Sequence, residues 1–110
     1  MPYDEDLADR LRELLAGEDA ITEKKMFGGL AFLLNGNMTV AASHTGGVLA
    51  RVDPANAGDW IAPPQVAPME MGGRTMDGWL MVAPEAVKSD SELASWVERS
   101  VAFVKTLPPK

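Results

Sequence analysis

Residues 29–43 read Gly29-Leu30-Ala31-Phe32-Leu33-Leu34-Asn35-Gly36-Asn37-Met38-Thr39-Val40-Ala41-Ala42-Ser43, and the fold turns on how this stretch is read. Asn35-Gly36 divides a short apolar run from a second strand-like segment. That pair favours a two-residue type I′ turn, because both central residues need positive φ. The spacing predicts an antiparallel hairpin, with Asn37 through Ser43 as the returning strand. Further along, Thr45-Gly46-Gly47 marks another turn and Val48-Leu49-Ala50-Arg51-Val52 a third strand. Hairpin-linked strands in this order make an antiparallel meander.

Helical signals flank the meander. Tyr3, Leu7, Leu11, Leu14 and Leu15 recur at helical spacing, with charged residues mostly opposite them. Asp4 is a suitable N-cap, Glu5 and Asp6 suit the positive end of the dipole, and Gly17 offers a left-handed C-terminal residue. A helix from about residue 4 to residue 16 is expected. Asp53-Pro54 pairs a cap with a first-turn proline and so starts a second helix, which Pro63-Pro64 keeps short. Val66 through Met71 and Trp79-Leu80-Met81-Val82 read as two more strands around the turn-rich stretch 72–78. Ser89-x-x-Glu92 is a capping-box pattern, and Leu93, Trp96, Val97, Val101, Val104 and Leu107 form one apolar stripe ending before Pro108-Pro109.

The expected order is therefore α-β-β-β-α-β-β-α. It describes an α+β fold, a largely antiparallel sheet packed by N- and C-terminal helices as one layered domain over residues 1–110. An apolar fraction of 46% suits a chain that buries its own core. Sixteen acids against ten bases leave a formal charge of -6, which repels phosphate backbones and anionic lipid and argues against direct nucleic-acid binding. Cysteine is absent, removing disulfides, thiolate metal sites and cysteine nucleophiles. The N-terminus is acidic where a secretory signal would be basic, and no apolar run approaches the roughly 20 residues of a membrane helix. A cytoplasmic location and no membrane contact are expected.

The chemistry-bearing residues do not assemble into a catalytic pattern. His44 is the single histidine, so a structural zinc site lacks ligands. Ser43 beside it points to the other side of a strand. Asp59, Glu70 and Asp77 lie in separate segments. Glycine pairs occur at Gly28-Gly29, Gly46-Gly47 and Gly72-Gly73, but none fits a dinucleotide or P-loop pattern. No cofactor and no metal are expected. Two glycine pairs do adjoin cations, in Lys24-Lys25-Met26-Phe27-Gly28-Gly29 and Gly72-Gly73-Arg74. Cations beside exposed backbone N–H groups can hold an anion, so Lys25, Arg51 and Arg74 are a candidate anion or acidic-peptide site. Against this stands the plain reading: Met26 and Phe27 anchor the core, the glycines turn the strands, and the cations are solvated. Met69, Met71, Met76 and Met81, with Trp79, are expected as core filler rather than a pliable binding surface.

Taken in order, Lys24-Lys25-Met26-Phe27-Gly28-Gly29, an apolar strand, Arg51-Val52, a proline-initiated short helix, Gly73-Arg74-x-Met76-x-Gly78-Trp79 and a Trp-containing last helix closing at Leu107-Pro108 resemble the N-terminal domain of TfoX/Sxy proteins. The resemblance spans roughly residues 10 to 108. It implies an α+β fold like that of type III secretion chaperones. It also implies kinship with regulators of natural competence that work with a cyclic-AMP-responsive transcription activator, here as a stand-alone domain without their C-terminal one. It brings no catalytic residues.

The leading expectation is a non-enzymatic regulatory module that binds a protein partner. Lys24, Lys25, Gly28, Gly29, Arg51, Gly73, Arg74 and Trp79 form its candidate ligand or partner surface. The alternatives are a small anionic ligand, with or without catalysis, at the basic glycine loops, and direct nucleic-acid binding, which the net charge disfavours. A homodimer paired through open sheet edges is left open by the sequence.

Overall fold

The chain runs α1 (Glu5–Leu14), β1 (Ile21–Met26), β2 (Gly29–Leu34), β3 (Asn37–Ala42), β4 (Val48–Arg51), α2 (Pro54–Trp60), β5 (Val66–Met71), β6 (Arg74–Val82), a 3-10 turn (Pro84–Val87) and α3 (Asp90–Val104). This is seen in a computed structural model that describes residues 3–26, 28–44, 46–62, 65–71 and 73–109, without the side chains of 71, 75 and 76. One antiparallel sheet holds the strands in the order β1-β2-β3-β4-β6-β5. The fold is α+β, as the sequence implies. The central hairpin forms as read, with Asn35 at φ 53° and Gly36 at φ 83°.

Three expectations need correcting. The observed order is α-β-β-β-β-α-β-β-α, with β1 added before the meander. Ile21 and Met26 are half-buried while the four residues between them are exposed, so β1 carries no alternating apolar pattern. What fixes it is pairing with β2 and a two-pronged ion pair to α1, Arg12 Nε to Glu23 Oε2 at 2.7 Å and Nη2 to Oε1 at 2.8 Å. The second correction concerns β6, which begins at Arg74 rather than Trp79 because the turn is confined to the start of the 72–78 stretch. The third is Gly17, which is not left-handed; α1 instead unwinds through tight turns, with Ala16 N–H bonded to Glu13 O and Glu18 N–H to Leu15 O. The expectations placed on Phe27, Thr45, Pro63-Pro64 and Gly72 lie outside the described residues.

The caps behave as the sequence suggests. Asp4 accepts from the N–H groups of Asp6 and Leu7, and Asp53 accepts from Ala55 N–H ahead of Pro54. Ser89 Oγ accepts from Glu92 N–H at 3.1 Å and donates to the Glu92 carboxylate at 2.9 Å. Each cap satisfies N–H groups that a helix leaves unpaired at its start.

Both long helices lie on the same side of the sheet. Leu7, Ala8 and Leu11 of α1 and Leu93, Trp96 and Val97 of α3 join Leu30, Phe32, Val40, Val48, Ala50, Leu80 and Val82 in one core. Phe32, at 0% exposure, is its largest fully buried side chain. Strand alternation sends every second residue to the other side, where no described helix packs. The fold thus gives the sheet one covered face and one open face.

Candidate functional site

The open face has its own, smaller apolar cluster. Ala31, Ala41 and Leu49 are buried at its centre, with half-buried Met26, Leu33, Met38, Met69, Trp79 and Met81 around them. The register explains the set. Lys24, Ala31, Ala41, Leu49, Met81 and Ala67 stand opposite one another in a single row across all six strands. Because side chains alternate, every member of that row points the same way, and the row on its helical side includes Leu30, Ala42 and Val48. Met69, Met81 and Trp79 were expected in the core. They do pack half-buried against an apolar cluster, but it is the smaller one on this second face, because each follows or precedes a residue whose side chain already fills the covered one. The side chains of Met71 and Met76 are outside the described set.

A shallow pocket of about 70 Å³ opens in this face, lined among others by Met26, Gly29, Ala41, Leu49, Met69 and Met81, with Ser43 and His44 at one end. Ligand pockets for metabolites run to several hundred Å³, so this one has room for a single aliphatic side chain rather than a cofactor.

The structure disperses the residues singled out from the sequence. Lys24 pairs with Ala31 and belongs to the open face, whereas Lys25 pairs with Leu30 and belongs to the covered one. Arg51 pairs with Trp79 on the open face. Three strand spacings, about 14 Å, separate β1 from β4. Arg74 opens β6 at the far tip of the β5–β6 hairpin, opposite Met71, with Gly73 in the turn before it. Lys25, Arg51 and Arg74 therefore come from opposite sides and distant parts of the sheet. Among the eight residues, Arg51 and Trp79 are the pair brought into contact.

Arg51 is not a solvated cation. Its guanidinium carbon lies 5.1 Å from the Trp79 ring centroid and 5.8 Å from that of Phe103 on α3. Both distances are within cation–π reach. No carboxylate pairs with it among the described residues. Lys24 is exposed and likewise has no ion-pair partner there.

The glycines have structural reasons for being where they are. A Cβ on Gly29 would stand 2.2 Å from Ala42 O, so β2 and β3 could not approach at that point with any larger residue. Gly28 (φ 76°) turns the chain next to exposed His44, whose Cβ would be 3.4 Å from a new methyl. Among the described residues no group of three His, Cys, Asp or Glu side chains is placed to hold a metal. None of their helices is long and apolar enough to cross a membrane.

A six-stranded antiparallel sheet backed by helices on one side and carrying a methionine-rimmed apolar cluster on the other defines an α+β domain. The family model for the TfoX N-terminal domain matches residues 13–104, and the chain belongs to that family. Membership points to a regulatory, competence-related domain. No curated protein and no solved structure matches the chain.

Proposed function

We propose that this chain is a non-enzymatic regulatory domain that acts by binding a protein partner, with its influence on transcription passing through that partner. The observation that supports the reading is the open sheet face. Apolar side chains from all six strands gather there, around a pocket too small for a metabolite, and no described helix covers them. Methionine rims of this kind adapt to a partner's shape at low cost, because the side chain is unbranched and polarizable. A net charge of -6 favours a protein over a nucleic acid as that partner.

The test is a crosslinking pull-down with the tagged full chain, run beside a Met81→Lys variant checked for folding by circular dichroism. A discrete partner recovered in near-stoichiometric amount by the natural sequence and lost with the variant is the expected result. Recovery of nothing above background overturns the reading. A thermal-shift screen over nucleotides and phosphorylated metabolites runs alongside. A ligand at one hundred times its dissociation constant adds about 2.7 kcal/mol of stability, so a shift of several degrees would make the protein a small-molecule binder instead.

A further inference from the structure

We infer that β1 is a self-pairing edge: two copies of this chain join antiparallel along Ile21–Met26, across a two-fold axis at Lys24, and merge their sheets into one. The inference goes beyond partner binding and does not depend on it.

The sheet ends at β1 on one side and at β5 on the other, and the two edges differ. On β5, Pro68 has no N–H to share, and the register against β6 shifts between Pro68 and Glu70. Strand β1 keeps an unbroken register with β2 from Ile21↔Leu34 to Met26↔Gly29. It holds neither glycine nor proline, and its four central residues are exposed. Its outward backbone groups can be assigned. Asn35 N–H donates to Ala20 O at 3.0 Å. By the alternation of antiparallel pairs, the N–H and C=O groups of Thr22, Lys24 and Met26 then turn toward β2. Those of Ile21, Glu23 and Lys25 turn away from the sheet.

Symmetry and charge fix the register. Residues opposite each other in an antiparallel pair point to the same side, so the two-fold axis passes through a residue rather than between two. An axis at Glu23 sets carboxylate against carboxylate, and one at Lys25 sets ammonium against ammonium. With the axis at Lys24, Glu23 of each copy stands opposite Lys25 of the other on the helical side. The outward groups of those residues then exchange both N–H···O bonds of each pair. Charge along an edge strand ordinarily repels a second strand. Here the order Glu23-Lys24-Lys25 supplies two opposite-charge pairs against one like pair, Lys24 with its counterpart on the open face. Glu23 also faces Arg12 and, through it, Asp9 of α1. Each Glu23 oxygen keeps a further lone pair for the incoming ammonium.

Sedimentation equilibrium over a concentration series is expected to show the natural chain dimerising. Lys25→Pro removes an outward donor but no bond to β2. It is expected to weaken the dimer about thirtyfold, because the axis doubles the loss of one hydrogen bond. A second test spares the backbone. Lys25→Glu and Glu23→Lys, each checked for folding by circular dichroism, set like charges in both pairs and are expected to stay monomeric alone. Mixed, they restore both pairs and associate with each other. The chain has no cysteine, so Lys24→Cys reports on the axis directly. A residue on the axis meets itself with Cα atoms about 4.5 Å apart, within disulfide reach. Mild oxidation is expected to link Lys24→Cys into a dimer and to leave Thr22→Cys, about 13 Å from its counterpart, unlinked.

A natural chain that sediments as a monomer up to millimolar concentration overturns the inference. So does a dimer that Lys25→Pro leaves unaltered, equal crosslinking at positions 22 and 24, or failure of the two charge variants to associate on mixing. None of these outcomes bears on the partner-binding reading, which stands or falls with the pull-down.

Discussion

Arg12 and Glu23 carry the attachment of the outermost strand to the first helix. The hydrogen bond from Arg12 is the main influence holding the Glu23 carboxyl below its ordinary value, with desolvation opposing it and the attraction of the guanidinium adding to it. A carboxyl depressed in the folded state contributes stability that is present above its unfolded value, about 4.3, and lost as pH falls through the folded one. Both side chains are substantially exposed, so the pair is worth about 0.2–1 kcal/mol. Glu23→Gln is therefore expected to lower the midpoint of thermal unfolding at pH 7 by at most about 4 °C. The difference between the two proteins should shrink as pH falls through the depressed Glu23 value and vanish once that carboxyl is protonated in the folded state, where both carry a neutral group. A difference that persists in acid would mean that β1 is held by something else. Gly78 is the opposite kind of residue, indispensable without being charged. It sits at φ 80°, its carbonyl accepts from Val52 N–H at 2.7 Å, and a Cβ there would lie 2.7 Å from Val52 O and 3.0 Å from Pro54. Gly78→Ala is expected to cost about 2 kcal/mol or more, read as a lower urea midpoint with unchanged slope.

Short α2 shows how an element of modest intrinsic stability is secured. Seven residues with a glycine among them make a poor helix alone. Trp60 at its end meets Trp96 of α3 edge-to-face, centroids 6.3 Å apart, and Arg99 stacks on both rings at 4.9 and 4.7 Å. Arg99→Ala is expected to lower unfolding free energy by about 1 kcal/mol in urea titration, with Arg99→Lys retaining part of it. Equal stability of all three proteins would show that the tryptophans hold α2 unaided. Elements of this sort mark the limit of what the sequence discloses. Turn and cap chemistry is local, so Asn35-Gly36, Asp53-Pro54 and Ser89-x-x-Glu92 could be read directly. Strand β1 could not, since four exposed residues in a row resemble a loop until the partner strand and Arg12 are in place. The candidate site was legible only in part. Arg51, Trp79 and the methionines drew notice for their types, but which of them share a face depends on register, and register is set across strands distant in the chain. Lys24 and Lys25 look equivalent in sequence; one position of alternation puts them on opposite sides of the sheet.

At the scale of the whole molecule, the two faces divide the work. The covered face supplies the stability and the open one is left free to bind, and adjacent residues of β6 report on each. Leu80, 1% exposed, points among the helices, while half-buried Met81 lies on the open face. Leu80→Ala removes a packed core side chain and is expected to cost about 2–5 kcal/mol. Met81→Ala gives up only part of a side chain's burial and is expected to cost about 1 kcal/mol or less, while weakening recovery of the partner in the crosslinking pull-down. The discriminating measurement is a pair of urea titrations alongside the crosslinking pull-down. If the open face were a second core, closed in solution by its own chain, Met81→Ala would cost as much as Leu80→Ala and binding would not distinguish them. If it is a docking face, stability and binding separate between two neighbouring residues, because a side chain kept half-exposed for a partner contributes little until the partner arrives.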